Sequence, residues 1–272
     1  MLNRLQVYGQ LLQQDPVNFL VYMAFMAVIV LISLILHECA HGYMALRCGD
    51  PTAKMLGRLS LNPLRHLDPI GTICMFLLGF GWAKPVPVNP RNFDNYRRDD
   101  FLVSIAGIVT NLTLFIVCSL LAVLLNLVIW KPEAKPFFDY ILGSRDELVN
   151  VFSPDSFAAS LAYSISFDGM QRFTTQYWLL YIQRFLLLMV DVNLSLALFN
   201  FLPIPPLDGF HILNDTILKG RLQLNQEVFR IAQTVLIILL LSTDVVDVIL
   251  VKGGEIIGGS IIRTFMLLTG QM

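Results

Sequence analysis

His37 and His41 stand four residues apart, with Glu38 directly after the first. On a helix, positions i and i+4 share a face, so this spacing presents two imidazoles to one metal ion. The glutamate between them is placed to act as general base on a metal-activated water. This is the donor pattern of metal-assisted hydrolysis. It closes an apolar run that begins near Phe19, which puts water-using chemistry at the end of a hydrophobic segment. The alternative is two helix histidines packed in a bundle.

A catalytic zinc ion takes three protein ligands and keeps a fourth position open. The remaining candidates are His66 and His211 and the carboxylates Asp68, Asp191 and Asp208. Asp208 fits best. It follows Pro203, Pro205 and Pro206 at the end of an apolar run, at the membrane level expected for His37 and His41. An aspartate near hydrocarbon costs about 2.5–3.5 kcal/mol at a helix centre and calls for a partner. Gly209 beside it permits close backbone approach.

Other polar residues have two readings each. His66, near Asn62-Pro63, either satisfies loop backbone or touches the site. His211 either hydrogen-bonds a ligand or is a loop histidine. Asn111, inside an apolar run, either donates to a developing oxyanion or bonds a neighbouring helix. Asn200 either contacts substrate backbone or caps its span. Arg184 and Asp191, seven residues apart in one run, suit an ion pair or polar network.

The elements that must carry these residues are membrane helices. The chain has 272 residues, 56% of them hydrophobic and 14% charged. Soluble domains carry about 25% charged residues. A net charge of -1 with no basic tract argues against a nucleic-acid partner. The four cysteines show no CxxC spacing and read as reduced, buried thiols. A bilayer crossing takes about 20 apolar residues. The expected fold is an all-α polytopic membrane protein, a single domain over residues 1–272, with about four full transmembrane helices. They fall near Phe19–Leu36 (continuing through the histidines), Phe101–Trp130, Tyr177–Leu202 and Val228–Leu250. Residues 1–18 read as an interfacial segment without a cleavable signal, 131–175 as an extracytoplasmic loop, and 251–272 as an interfacial tail. Between the first two spans, Pro69–Trp82 is too short and Gly-rich to cross. It reads as a membrane-embedded re-entrant or β-hairpin segment. Extended to Val88, it is a candidate clamp for an unwound substrate by strand addition, with Gly79 and Gly81 on the irregular edge.

Eight Lys/Arg residues lie between Arg47 and Arg98, against four between Lys131 and Thr175. The positive-inside rule then turns the end of the histidine helix toward the cytoplasm and both termini outward.

Taken together, His37-Glu38-Cys39-Ala40-His41, the Leu207-Asp208-Gly209 box preceded by FNFLPIPP, and the stretches GRLSLNPLRHLDPIGT and GFGWAKPVPVNP resemble the site-2 protease family of intramembrane zinc metalloproteases. The likeness runs from about Leu31 to Leu213 and is greatest for the compact prokaryotic branch without PDZ or CBS domains. It implies one Zn2+ per chain on His37, His41 and Asp208, Glu38 as catalytic base, and Asn111 polarising the scissile carbonyl. Members usually carry proline after the Ala106-Gly107 pair, where this chain has Ile108. The implied partners are a transmembrane protein or peptide substrate and the lipid bilayer of a prokaryotic plasma membrane. A catalytically silent metal-binding scaffold and a zinc-handling transporter are the competing classes. Intact Glu38 argues against the first, and the scarcity of histidines against the second.

Overall fold

The computed structural model describes residues 12–13, 15–69, 71, 84–134, 136, 138, 140, 142, 145–153, 156–163, 169–222, 224–243 and 245–271. Among them the chain is helical, without a strand; one isolated bridge joins Trp130 and Thr174. Among the described residues three uninterrupted helices are long and apolar enough to cross a membrane: α1 (Pro16–Arg47), α2 (Tyr96–Ile129) and α3 (Leu179–Phe201). At 1.5 Å per residue even the 23 residues of α3 span about 35 Å, more than the roughly 30 Å hydrocarbon core. Pro203, Pro205 and Pro206 cannot continue α3, and α4 (Asp208–Thr216) begins just beyond them.

The fourth span differs from the single Val228–Leu250 helix expected. Helix α5 (Gln226–Ser242) ends at Thr243, whose backbone is extended (φ -136, ψ 155). The chain resumes as α6 (Val245–Gly253), passes a π turn, and continues as α7 (Gly259–Leu268). Ser242 and Thr243 hydroxyls bond back to the Ile238 and Leu239 carbonyls, a habit that weakens helices from within. The tail from residue 251 on, expected to lie at the interface, is helical through Leu268.

The re-entrant segment falls largely on residues 70 and 72–83, outside the described residues, and so do Gly79 and Gly81. The part from Lys84 to Asn89 has no regular secondary structure.

Contacts divide the chain into two compact units. One comprises Val30–Leu112 and Ser195–Leu250 and contains the whole candidate site. The other comprises Leu2–Ile29, Thr113–Leu194 and Val251–Met272. Polar groups in this second unit are tied internally. Asn126 bonds both Trp130 and Gln271, Asp146 receives Arg263, Asp191 accepts from Tyr163, and buried Arg184 donates to the Ala162 carbonyl.

Candidate metal centre

Helical spacing sets the first two donors. On α1, Nε2 of His37 and Nε2 of His41 lie 2.9 Å apart with the rings nearly perpendicular. The third arrives from α4, where Asp208 Oδ2 is 3.3 Å from His37 Nε2 and 3.4 Å from His41 Nε2. Ligand atoms about 2.0–2.1 Å from a tetrahedral ion stand about 3.3 Å apart, so the two aspartate distances already match a common ion. Among the described residues these three form the group able to hold a metal.

The surroundings fix the orientation of His41. Nδ1 of His41 lies 2.7 Å from the Val103 carbonyl, an acceptor, so Nδ1 carries the proton and Nε2 offers its lone pair inward. Asp208 Oδ2 is buried and has no hydrogen-bond donor. A buried carboxylate facing two imidazole Nε2 atoms is a donor set that a divalent cation satisfies.

Two glycines make the approach possible. A Cβ at residue 209 would overlap the Phe201 and Leu202 carbonyls, so only glycine lets α4 start on the end of α3. A Cβ at residue 107 would stand 2.5 Å from both His37 Cε1 and His41 Nε2. Gly107→Ala removes a helix-interior glycine, worth about 1 kcal/mol of helix propensity. Overpacking costs about 1–3 kcal/mol and here falls on the ligand rings. The expected outcome is a protein that retains α2 but loses bound metal, read by elemental analysis beside circular dichroism. Full metal retention would show that the rings can yield.

Glu38, directly after His37 on α1, is half-buried. The Val86 N–H donates to its Oε2 at 2.7 Å. Val86 is held there by a braced loop. Lys84 N–H donates to the His66 carbonyl, and the Arg58 guanidinium bonds the Lys84 and Pro85 carbonyls. Buried Asp50 accepts from the Asn89 N–H and the Asn92 amide. Gly42 leaves room for Leu59 and Val86 against α1.

Asn111 lies one helical turn beyond Gly107 on the same face of α2. It is fully buried, and neither amide atom has a protein partner. A buried primary amide without partners costs about 1–3 kcal/mol, so the position suits a group that meets a ligand.

The remaining candidates have hydrogen-bond partners outside the three donors. His66 is buried, with Nε2 2.7 Å from the Ser60 carbonyl and 3.9 Å from Cys39 Sγ, on a different face of α1 from the metal-facing rings. His211 pairs with Asp100 at 3.0 Å. The Asn200 amide bonds back to the Leu196 carbonyl in its own helix. Gly107, Asp50, Asp100 and the Val103 carbonyl are absent from the sequence-derived site. Gly107 had a signal, four residues before Asn111, and Asp50 had one in its turn-forming Asp-Pro-Thr; a backbone carbonyl leaves none.

The model of the family described as peptidase family M50 matches residues 24–243. A Bacillus subtilis (strain 168) protein described as "Putative zinc metalloprotease YwhC" is 36% identical over 198 residues, covering 73% of this chain and 71% of that protein. No solved structure gives a significant match.

Proposed function

The chain belongs to peptidase family M50, the site-2 protease family, and from that membership we propose that it is an intramembrane zinc endopeptidase. On this reading it cuts transmembrane segments of other proteins at a site open to the cytoplasm of a prokaryotic cell. The observation that carries the proposal is the convergence of His37, His41 and Asp208 at the end of an apolar helix. One zinc per chain sits on these three. When bound, zinc supplies a Lewis acid that lowers the pKa of water and polarises a carbonyl.

The chain's own residues do the rest. Glu38 takes the proton of the attacking water and delivers it to the leaving amide nitrogen. The Asn111 amide donates to the oxygen on which negative charge develops. Gly107 keeps the space between imidazoles and α2 free of a side chain. A helical substrate hides its carbonyls, so it must unwind locally. The segment ending at Val88 is the proposed place where its extended backbone docks, with Gly79 and Gly81 on that edge and Asn200 as a further contact. Eight Lys/Arg residues between Arg47 and Arg98 support the cytoplasmic orientation.

A single-span substrate with a reporter on its cytoplasmic side, co-expressed with the chain, tests this reading. The expected product is a released reporter ending within the apolar segment near its cytoplasmic end, identified by mass spectrometry. A cut near the outer end would reverse the orientation. Cuts confined to soluble loops would remove the intramembrane assignment.

A further inference from the structure

Asp208 reaches the histidines on α4, a helix of nine residues whose N-terminus has no side-chain cap. Helices this short are marginal alone, so the position of Asp208 must come from tertiary ties. Two ties come from the first turn of α2. Arg97 Nη2 donates to the Asp215 carbonyl at 2.6 Å, at the far end of α4. Asp100 Oδ2 accepts from His211 Nδ1 at 3.0 Å. The other side of the His211 ring lies nearly parallel to Phe229 of α5, centroids 6.0 Å apart.

Register makes these ties more than local. On α4, Asp208, His211 and Asp215 fall at i, i+3 and i+7, along one face. On α2, Arg97, Asp100, Val103, Gly107 and Asn111 follow at intervals of three, three, four and four. One stripe of α2 therefore grips α4 with its first turn, takes the His41 proton on the Val103 carbonyl, seats both imidazoles on Gly107, and ends at the Asn111 amide. The grip is charged. Burial opposes the imidazolium, but the Asp100 carboxylate outweighs it and raises His211. Asp215 is 3% exposed; burial, then the Asp100 charge, push its carboxyl up, so a proton relieves the like-charge pair.

We propose that Asp100 and His211 form a positioning clamp that sets Asp208 at ligand distance from His37 and His41. Neither residue contacts the metal; both act through the placement of α4. The proposal rests on the reading of His37, His41 and Asp208 as zinc ligands.

Zinc affinity of the purified full-length chain, measured by chelator competition, tests the clamp through Asp100→Asn, His211→Asn, the double variant and Asp208→Ala. The visible spectrum of the cobalt-substituted protein is recorded for each. Loss of a partner that orients a metal ligand typically costs about 10–100-fold in affinity, and that is the fall expected in each single variant. The double variant should be no weaker than the weaker single, because two halves of one contact do not add. The cobalt spectrum should shift in both singles. Unchanged affinity and spectrum in either single, or losses that add in the double, overturn the clamp. Zinc retained by Asp208→Ala overturns the ligand reading instead. Circular dichroism on the same samples separates a lost clamp from a lost fold. If Asp100→Asn does not fold, Asp100→Glu carries the comparison: retaining the carboxylate, it should bind zinc more tightly than His211→Asn, and equal or weaker binding counts against the clamp.

Discussion

Zinc is expected to leave the purified protein when Asp208 is replaced by alanine, and equally when His37 or His41 is. The three donor atoms lie 2.9–3.4 Å from one another. Removing one leaves a two-ligand site. The fall in affinity should therefore exceed the roughly 10–100-fold that follows loss of an outer partner. Wild type should carry about one zinc per chain after dialysis against a weak chelator, and each ligand variant almost none. Added zinc should also raise the thermal midpoint of the apo wild type, since a ligand held 100-fold above its Kd stabilises by about 2.7 kcal/mol; Asp208→Ala should show no such rise. His66→Ala gives the contrast. His66 braces the loop through the Ser60 carbonyl, so its loss should lower stability while zinc stays. Full zinc occupancy in Asp208→Ala with loss in His66→Ala would place the third donor wrongly.

What could be read in advance follows from how each feature is encoded. The two histidines and Glu38 are readable because helix periodicity turns spacing directly into a shared face. Asp208 is readable because a carboxylate behind three prolines at the end of an apolar run needs a partner. Three of the helices follow from apolar length alone. The break after Ser242 was hidden by the apolar residues on both sides. Its traces in the sequence are the run Ser242-Thr243-Asp244 and Asp247, and the first two look ordinary in a membrane helix until their hydroxyls are seen turned back on it. Contacts between segments distant in sequence were the least legible. Asp100 reads as one charge in a polar helix start, and its meaning comes from His211, 111 residues away. Val86 matters through its backbone N–H, which carries no residue signature. Gly107 resembles any small residue in a membrane helix until both imidazoles are found where its Cβ would be.

Replacing Glu38 with glutamine should stop peptide-bond hydrolysis while leaving zinc and fold in place. The substitution is nearly isosteric. The Val86 N–H that now donates to Oε2 at 2.7 Å keeps an acceptor in the glutamine oxygen, so the braced loop from Arg58 to Asn92 has no reason to move. What disappears is the capacity to take a proton from the attacking water and return it to the leaving nitrogen. Positioned general acid–base groups typically contribute about 10²–10⁴-fold, and a fall in kcat of that size is expected with KM little changed. Glu38→Ala should behave differently, because it also strands the Val86 N–H and frees the segment proposed to hold the substrate; its KM should rise as well as its kcat fall. The comparison separates the two jobs assigned to this carboxylate, proton transfer and anchoring of Val86. Turnover by Glu38→Gln near the wild-type rate, with zinc bound, would remove Glu38 as the base. It would leave the Val86 contact as the reason for a glutamate between the histidines.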